Sequence, residues 1–139
     1  QRNAAILQRT RTLDGRPLRV LRVPTPRVVE RRVRLTADAD RGWSDQWTAD
    51  FFPRAERRRE GDTLVQVATA SYLNFVIANS VVVLPDYRAH GTPAAVQRQV
   101  QQLFEQAFPQ REIAFVDALA LNWLGGGLHC ATLHEPLPR

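Results

Sequence analysis

The single cysteine of this chain lies in the run Trp123-Leu124-Gly125-Gly126-Gly127-Leu128-His129-Cys130-Ala131-Thr132. A thiol directly after three glycines has two readings. Ionised, it is a nucleophile on a loop whose backbone is free to adopt φ > 0 and approach a ligand closely. Neutral, it is a small apolar side chain, since unpaired cysteine is among the most buried residue types. Spacing alone leaves both open, because a nucleophile also needs partner groups. If residues 128–133 form a strand, His129 points to the opposite face from Cys130 and supports the strand as a partly buried histidine. His134 then shares the face of Cys130 but lies about 13 Å along it, too far for direct proton transfer. His90 falls in a loop and is expected to be solvated. Asp86 and Asp117 offer carboxylates, although aspartate at a loop or strand end more often caps a turn. Asn74 offers a hydrogen bond.

The elements that must position these groups follow from periodicity and turn chemistry. Apolar Ala4, Ala5, Ile6 and Leu7 mark the end of a helix in residues 3–12, and Asp14-Gly15 marks a turn. Residues 17–23 alternate as a strand until Pro24-Thr25-Pro26 stops it. Residues 27–62 mix Arg31, Arg32, Arg34 and Arg57-Arg58-Arg59 with Asp38, Asp40, Asp45 and Asp50, and read as an irregular, Arg-rich surface excursion. Trp43 and Trp47 are expected to pin it to the body of the protein; a partner-binding face is the other reading. Residues 64–70 lead into 72–78, a turn at Asn79-Ser80, and the apolar run 81–84: a β-hairpin. Asp86 to Gly91 is a loop. Thr92 as N-cap with Pro93 at N1 opens a helix carrying Val96, Val100, Leu103, Phe104 and Ala107 on one face. Residues 112–116 form a buried strand, 117–123 a short helical turn, and 128–133 a last strand before a tail. Strand, strand, helix, strand is a unit that cannot cover both faces of its own sheet, which argues for a piece of a repeated architecture.

Composition narrows the class. The 139 residues, 44% hydrophobic and 24% charged, fit one soluble globular domain with a real core. One cysteine excludes an internal disulfide framework, and a reactive thiol needs a reducing compartment; the expected location is cytoplasmic. No apolar run approaches the roughly 20 residues that span a bilayer, and no signal-peptide pattern is seen. The net charge of +5 permits nucleic-acid binding, but no aromatics interleave with the arginines as a stacking platform requires. All 19 basic residues are Arg and there is no Met. The first is a compositional bias that weakens functional readings of single arginines; the second suggests a piece of a longer precursor.

Four motifs stand in order: Ser71-Tyr72-Leu73-Asn74-Phe75; Ile77-Ala78-Asn79 through Val81-Val82-Val83-Leu84-Pro85; Phe108-Pro109-Gln110-Arg111-Glu112-Ile113; and Gly125-Gly126-Gly127-Leu128-His129-Cys130-Ala131-Thr132 with Pro136 after it. In this order they resemble the C-terminal part of the agmatine deiminase family, which includes bacterial-type peptidyl-arginine deiminases. Gly15-Arg16-Pro17-Leu18-Arg19-Val20 with Pro24 and Pro26 resembles the preceding strand, and residues 27–62 match least. The resemblance implies an α+β pentein (α/β-propeller) fold, of which this chain is roughly two strand-strand-helix-strand blades out of five. It implies hydrolysis of a guanidine to a ureido group with loss of ammonia, and makes Cys130 the nucleophile. Gly126, Gly127 and Asn74 become candidates for holding a small cationic guanidine substrate. Where the family often has Gly-Gly-Asn-Ile-His-Cys, this chain has glycine at 127. The family's general acid is the histidine of a His-x-Asp motif upstream, and no His-x-Asp occurs here, so the chain is expected to be a C-terminal portion with the nucleophile but without the acid.

The reaction so implied converts agmatine to N-carbamoylputrescine and ammonia, a step of putrescine and polyamine biosynthesis, through a cysteine thiouronium intermediate. The tail Thr132-Leu133-His134-Glu135-Pro136 favours agmatine over peptidyl-arginine. No cofactor, metal or membrane partner is expected, nucleic acid is disfavoured, and a homo-oligomer is open. Two further readings stand beside it: a nonenzymatic Arg-rich binding module, and a cysteine hydrolase or transferase acting on acyl groups, which would want a Cys-His-Asn arrangement.

Overall fold

A computed structural model describes residues 2–37 and 47–135. Helix α1 (Arg2–Arg9) opens the chain, and the Asp14-Gly15 turn follows with Gly15 at φ 80°. The alternating segment 17–23 is not a strand: it makes one isolated bridge, Arg11↔Pro17. Val20 and Leu21 remain exposed there, and alternation without a neighbour to pair with does not form a sheet.

The Arg-rich segment is more regular than its charges suggest. Strand β1 (Glu30–Arg34) pairs antiparallel with β2 (Thr63–Val67), in register from Glu30↔Val67 to Arg34↔Thr63. Three arginines hide the period of β1. Long Arg side chains lay their apolar stems along protein surface, and the Arg31 guanidinium sits 4.5 Å from the centroid of the Trp123 ring while its Nε donates to Gln66 Oε1 at 2.7 Å. Leu35, just past β1, is fully buried. Trp47 packs on Phe51 and Phe52, with centroids 5.0 and 6.1 Å away, and its carbonyl accepts the Thr36 N–H. Thus Trp47 closes the excursion back onto the residues that follow β1. Trp43, Asp38, Asp40 and Asp45 lie outside the described residues.

The second half forms one three-stranded sheet. β3 (Val76–Ile77) and β4 (Val81–Asp86) make the expected hairpin, closed by the Ala78 N–H to Val81 carbonyl bond. Helix α2 (Ala94–Ala107) then returns the chain so that β5 (Glu112–Asp117) pairs parallel to β4, giving the order β3-β4-β5. Val82, Leu84, Tyr72, Tyr87, Val100 and Phe104 form the core, with Phe75, Phe108, Ile113 and Phe115 around it. Each such side chain withdrawn from water contributes about 1.5–3 kcal/mol before conformational entropy is subtracted.

Four local expectations change here. Residues 72–75 turn instead of extending, because Tyr72 buries its ring against Tyr87, centroids 5.3 Å apart, and the Leu73 N–H bonds Ser71 Oγ. β5 is half-buried, since only one of its faces meets α2. Thr92 does not cap α2: the helix follows Pro93, and the buried Thr92 hydroxyl accepts the Arg27 N–H at 2.9 Å. The last strand is absent. After α3 (Leu119–Trp123), residues His129–Ala131 form a single 3₁₀ turn, with Leu128 at φ −57°, ψ −49°. No strand edge offers residues 128–133 a ladder among the described residues, and a side-chain acceptor gathers the turn's N–H groups instead.

Candidate active site

That acceptor is Asn74. Its Oδ1 takes the N–H of His129 at 2.7 Å and that of Cys130 at 3.4 Å, while its Nδ2 donates to Cys130 Sγ at 3.1 Å. The thiol is therefore not the buried apolar side chain of the second reading: Cys130 is exposed. The Asn74 hydrogen bond, followed by one from the backbone of Gly127, holds its pKa below the ordinary thiol value. Hydrogen bonding to the anion favours the thiolate, which is the nucleophilic form.

The glycine run works differently from its expected role. Only Gly125 takes φ > 0 (83°), just past the end of α3, where a left-handed residue commonly stops a helix. Gly127 lacks room for a side chain, whereas Gly126 only sits in ordinary contact with the cysteine. A Cβ on Gly126 would lie 3.4 Å from Cys130 Cβ, and one on Gly127 would lie 2.5 Å from Asn74 Cγ. The loop is tied down beneath. Gly126 O accepts from Asn122 Nδ2 at 2.8 Å, and the Thr69 hydroxyl lies 3.1 Å from both Gly126 O and Asn122 O.

Asn122, Tyr87 and Thr69 escape the sequence reading, yet they couple the two halves of the site. Tyr87 OH donates to Asn122 Oδ1 at 3.0 Å and accepts the Ser71 N–H at 3.0 Å, linking the Asn74 turn to the glycine loop through fully buried groups. Burial pushes the Tyr87 phenol upward, so it stays a neutral donor. The available signal was Asn122 itself, a lone amide inside the apolar stretch Ala118 to Leu124, where an unpaired polar group is costly.

The remaining candidates are engaged elsewhere. Asp86 is gripped by Arg88, with Nη2 to Oδ2 at 2.7 Å, and its pKa falls to about 2 chiefly through that hydrogen bond. Asp117 accepts the Leu119 N–H at 2.9 Å, the turn-capping role, and its other oxygen lies 2.9 Å from His90 Nε2. His90 is thus paired and mostly covered, not solvated as expected. Because residues 129–131 are a turn, the strand argument that separated His129 from Cys130 no longer applies; His129 is exposed, and its ring lies 6.0 Å from that of His134. Among the described residues no cluster of three His, Cys, Asp or Glu side chains is placed to hold a metal ion, and no helix is long and apolar enough to cross a membrane.

The sequence profile of the Porphyromonas-type peptidyl-arginine deiminases matches residues 1–136. Over 134 residues the chain is 26% identical to the agmatine deiminase of Pseudomonas fluorescens, covering 96% of this chain and 31% of that protein. A protein of Lactococcus lactis, provisionally named an agmatine deiminase, is 37% identical over 91 residues, 66% of this chain and 22% of its own length. An X-ray structure provisionally named an agmatine deiminase superposes with a TM-score of 0.59 at 27% identity, over 91% of this chain and 29% of that one. A crystal structure from Porphyromonas gingivalis, provisionally named an arginine deiminase, has the same TM-score at 24% identity, over 96% of this chain and 28% of that one. The chain therefore spans less than a third of the length of these relatives.

Proposed function

The chain belongs to the Porphyromonas-type peptidyl-arginine deiminase family, and from that membership we propose that it is the thiol-bearing portion of a guanidine-group hydrolase with Cys130 as nucleophile. The observation that carries this reading is the exposed Cys130 thiol, polarised by Asn74 at the end of a loop with no side chains at 125–127.

The chemistry follows from what a guanidinium demands. Its carbon is a poor electrophile, so attack requires the thiolate. Cys130 Sγ bonds to that carbon and a general acid protonates one nitrogen, which leaves as ammonia. The product is a thiouronium on Cys130. Water, deprotonated by the same group acting as base, adds to the carbon; the C–S bond breaks, the ureido product departs, and the thiolate is restored. Carboxylates that hold the cation in a two-pronged grip complete such a site. Asp86 and Asp117 are committed to Arg88, His90 and the start of α3, so on this reading other groups make that grip. On a pentein reading, β3-β4-α2-β5 would be one strand-strand-helix-strand blade and β1–β2 part of a second, with the other blades completing a shared central site.

Agmatine is the favoured substrate because the Pseudomonas fluorescens relative is named an agmatine deiminase without reservation; the family's description keeps peptidyl-arginine as the second. The deciding experiment measures ammonia release from agmatine and from an arginine-containing peptide, using this chain and a longer protein that contains it. Activity toward agmatine in the longer protein, abolished by Cys130→Ala, is expected. Full activity in the Cys130→Ala variant would overturn the mechanism, and release from the peptide alone would overturn the substrate.

A further inference from the structure

Asn74 has so far been a candidate for touching substrate, but its contacts describe a different task. Both ends of its carboxamide meet the same two residues: the oxygen holds the backbone N–H groups of His129 and Cys130, and the nitrogen holds the sulfur of Cys130. The orientation of the amide follows from these partners, since two N–H donors require the oxygen on their side and leave the NH₂ toward sulfur. Asn74 is in turn fixed from behind. Its turn is closed by the Asn74 N–H to Ser71 carbonyl bond and anchored through the Ser71 N–H on buried Tyr87. Gly127 sits flush against the carboxamide. Its φ is not in the left-handed region, so backbone conformation does not call for glycine there, yet a Cβ would fall within 2.8 Å of Cγ, Oδ1 and Nδ2 of Asn74.

We propose that Asn74 is the positioning residue of the Cys130 nucleophile, and that in this chain a side chain at position 127 would displace the Asn74 carboxamide. The inference rests on Cys130 being the nucleophile. One planar group spans the backbone and the sulfur of Cys130, so it fixes the rotamer of the side chain as well as the turn that carries it. The N–H bond to sulfur strengthens when the thiol ionises, because the acceptor then carries charge. Asparagine is the residue type that meets both demands: alanine meets neither, and aspartate keeps the acceptor for the turn but replaces the donor to sulfur with a negative charge. The influences on the thiol are Asn74 and the backbone of Gly127 and of Cys130 itself; the titratable residues flanking it in sequence are His129 and His134.

The test is the pH dependence of Cys130 alkylation by iodoacetamide in this chain, with far-UV circular dichroism on every variant. Asn74→Ala should move the midpoint of the profile to higher pH. Asn74→Asp, which retains the acceptor that shapes the turn, should move it further. Gly127→Ala should reproduce the Asn74→Ala shift, and the double variant should show no additional shift, since the second change displaces a group already gone. Profiles of Asn74→Ala and Asn74→Asp that coincide with the parent would overturn the proposal, as would additive shifts of the two sites. If a variant at Asn74 does not fold, Gly127→Ala decides alone by shifting or not shifting. In a longer, active protein Asn74→Ala should lower kcat with KM little changed; a rise in KM alone would make Asn74 a substrate contact instead. Turnover by Cys130→Ala would sink the nucleophile reading whatever the alkylation profiles show, so the two failures are distinguishable.

Discussion

At Cys130 the neighbours of an ordinary residue type favour its ionised form. A lone cysteine is neutral at ordinary pH unless something stabilises the anion, and here the stabilising groups are one amide and the loop backbone. The same reasoning at Asp86 gives a prediction about stability. Arg88 holds the ionised carboxylate, lowering its pKa from 3.8 to about 2. A depressed carboxylate stabilises the fold fully above its unfolded value and loses that contribution as pH falls through its folded value. Thermal midpoints should therefore decline between about pH 4 and pH 2, and Asp86→Asn should flatten that part of the curve. An unchanged slope in the variant would show that other carboxylates govern acid unfolding.

Between elements, the hydrogen-bonded line Ser71–Tyr87–Asn122–Gly126, buried at Tyr87 and Asn122, joins the two loops. Tyr87→Phe removes one hydroxyl but leaves the Ser71 N–H and the Asn122 carboxamide oxygen unpaired in the interior. The expected loss is about 1–3 kcal/mol, measured as a lower denaturant midpoint at constant m-value. Because both loops of the site hang on this line, the same variant should also raise the pH midpoint of Cys130 alkylation. A destabilised protein with an unshifted profile would mean that the Asn74–Cys130 contact is set locally. Truncating the core face of α2 acts on stability alone: Phe104→Ala, which empties the space beside Phe75 and Phe108, should cost about 3–5 kcal/mol.

Across the whole molecule the two sheets are unequal. β3-β4-β5 is covered by α2, whereas β1–β2 is a two-stranded ribbon with Val65 and Val67 more than half exposed. Two-stranded ribbons are marginal in water without a packed face. Amide hydrogen exchange in this chain should accordingly be at least about tenfold faster in β1 and β2 than in β4 and α2. Equal protection would show that the ribbon packs better than its exposure indicates. On the pentein reading, the open face of the ribbon is where further blades would rest, and protection there should rise in a longer protein.

The amino-acid sequence by itself determined α2, the β3–β4 hairpin and β5, because their signals are local: Pro93 before an amphipathic run, a two-residue turn at Asn79-Ser80, and clustered β-branched residues. It also singled out Cys130, and the resemblance made Asn74 a candidate for holding substrate; that the two meet is a fact of the fold. Tertiary structure decided the rest. Strand β1 was invisible because the partner that makes it a strand lies some thirty residues away and its own residues are mostly arginine. The segment at 128–133 has strand-like composition, but its conformation is set by an acceptor 55 residues distant in sequence, Asn74 Oδ1. His90 reads as solvated until β5 brings Asp117 to it. Local periodicity records how a segment meets a surface; it does not record which surface, or which buried polar atom, the folded chain will bring to it.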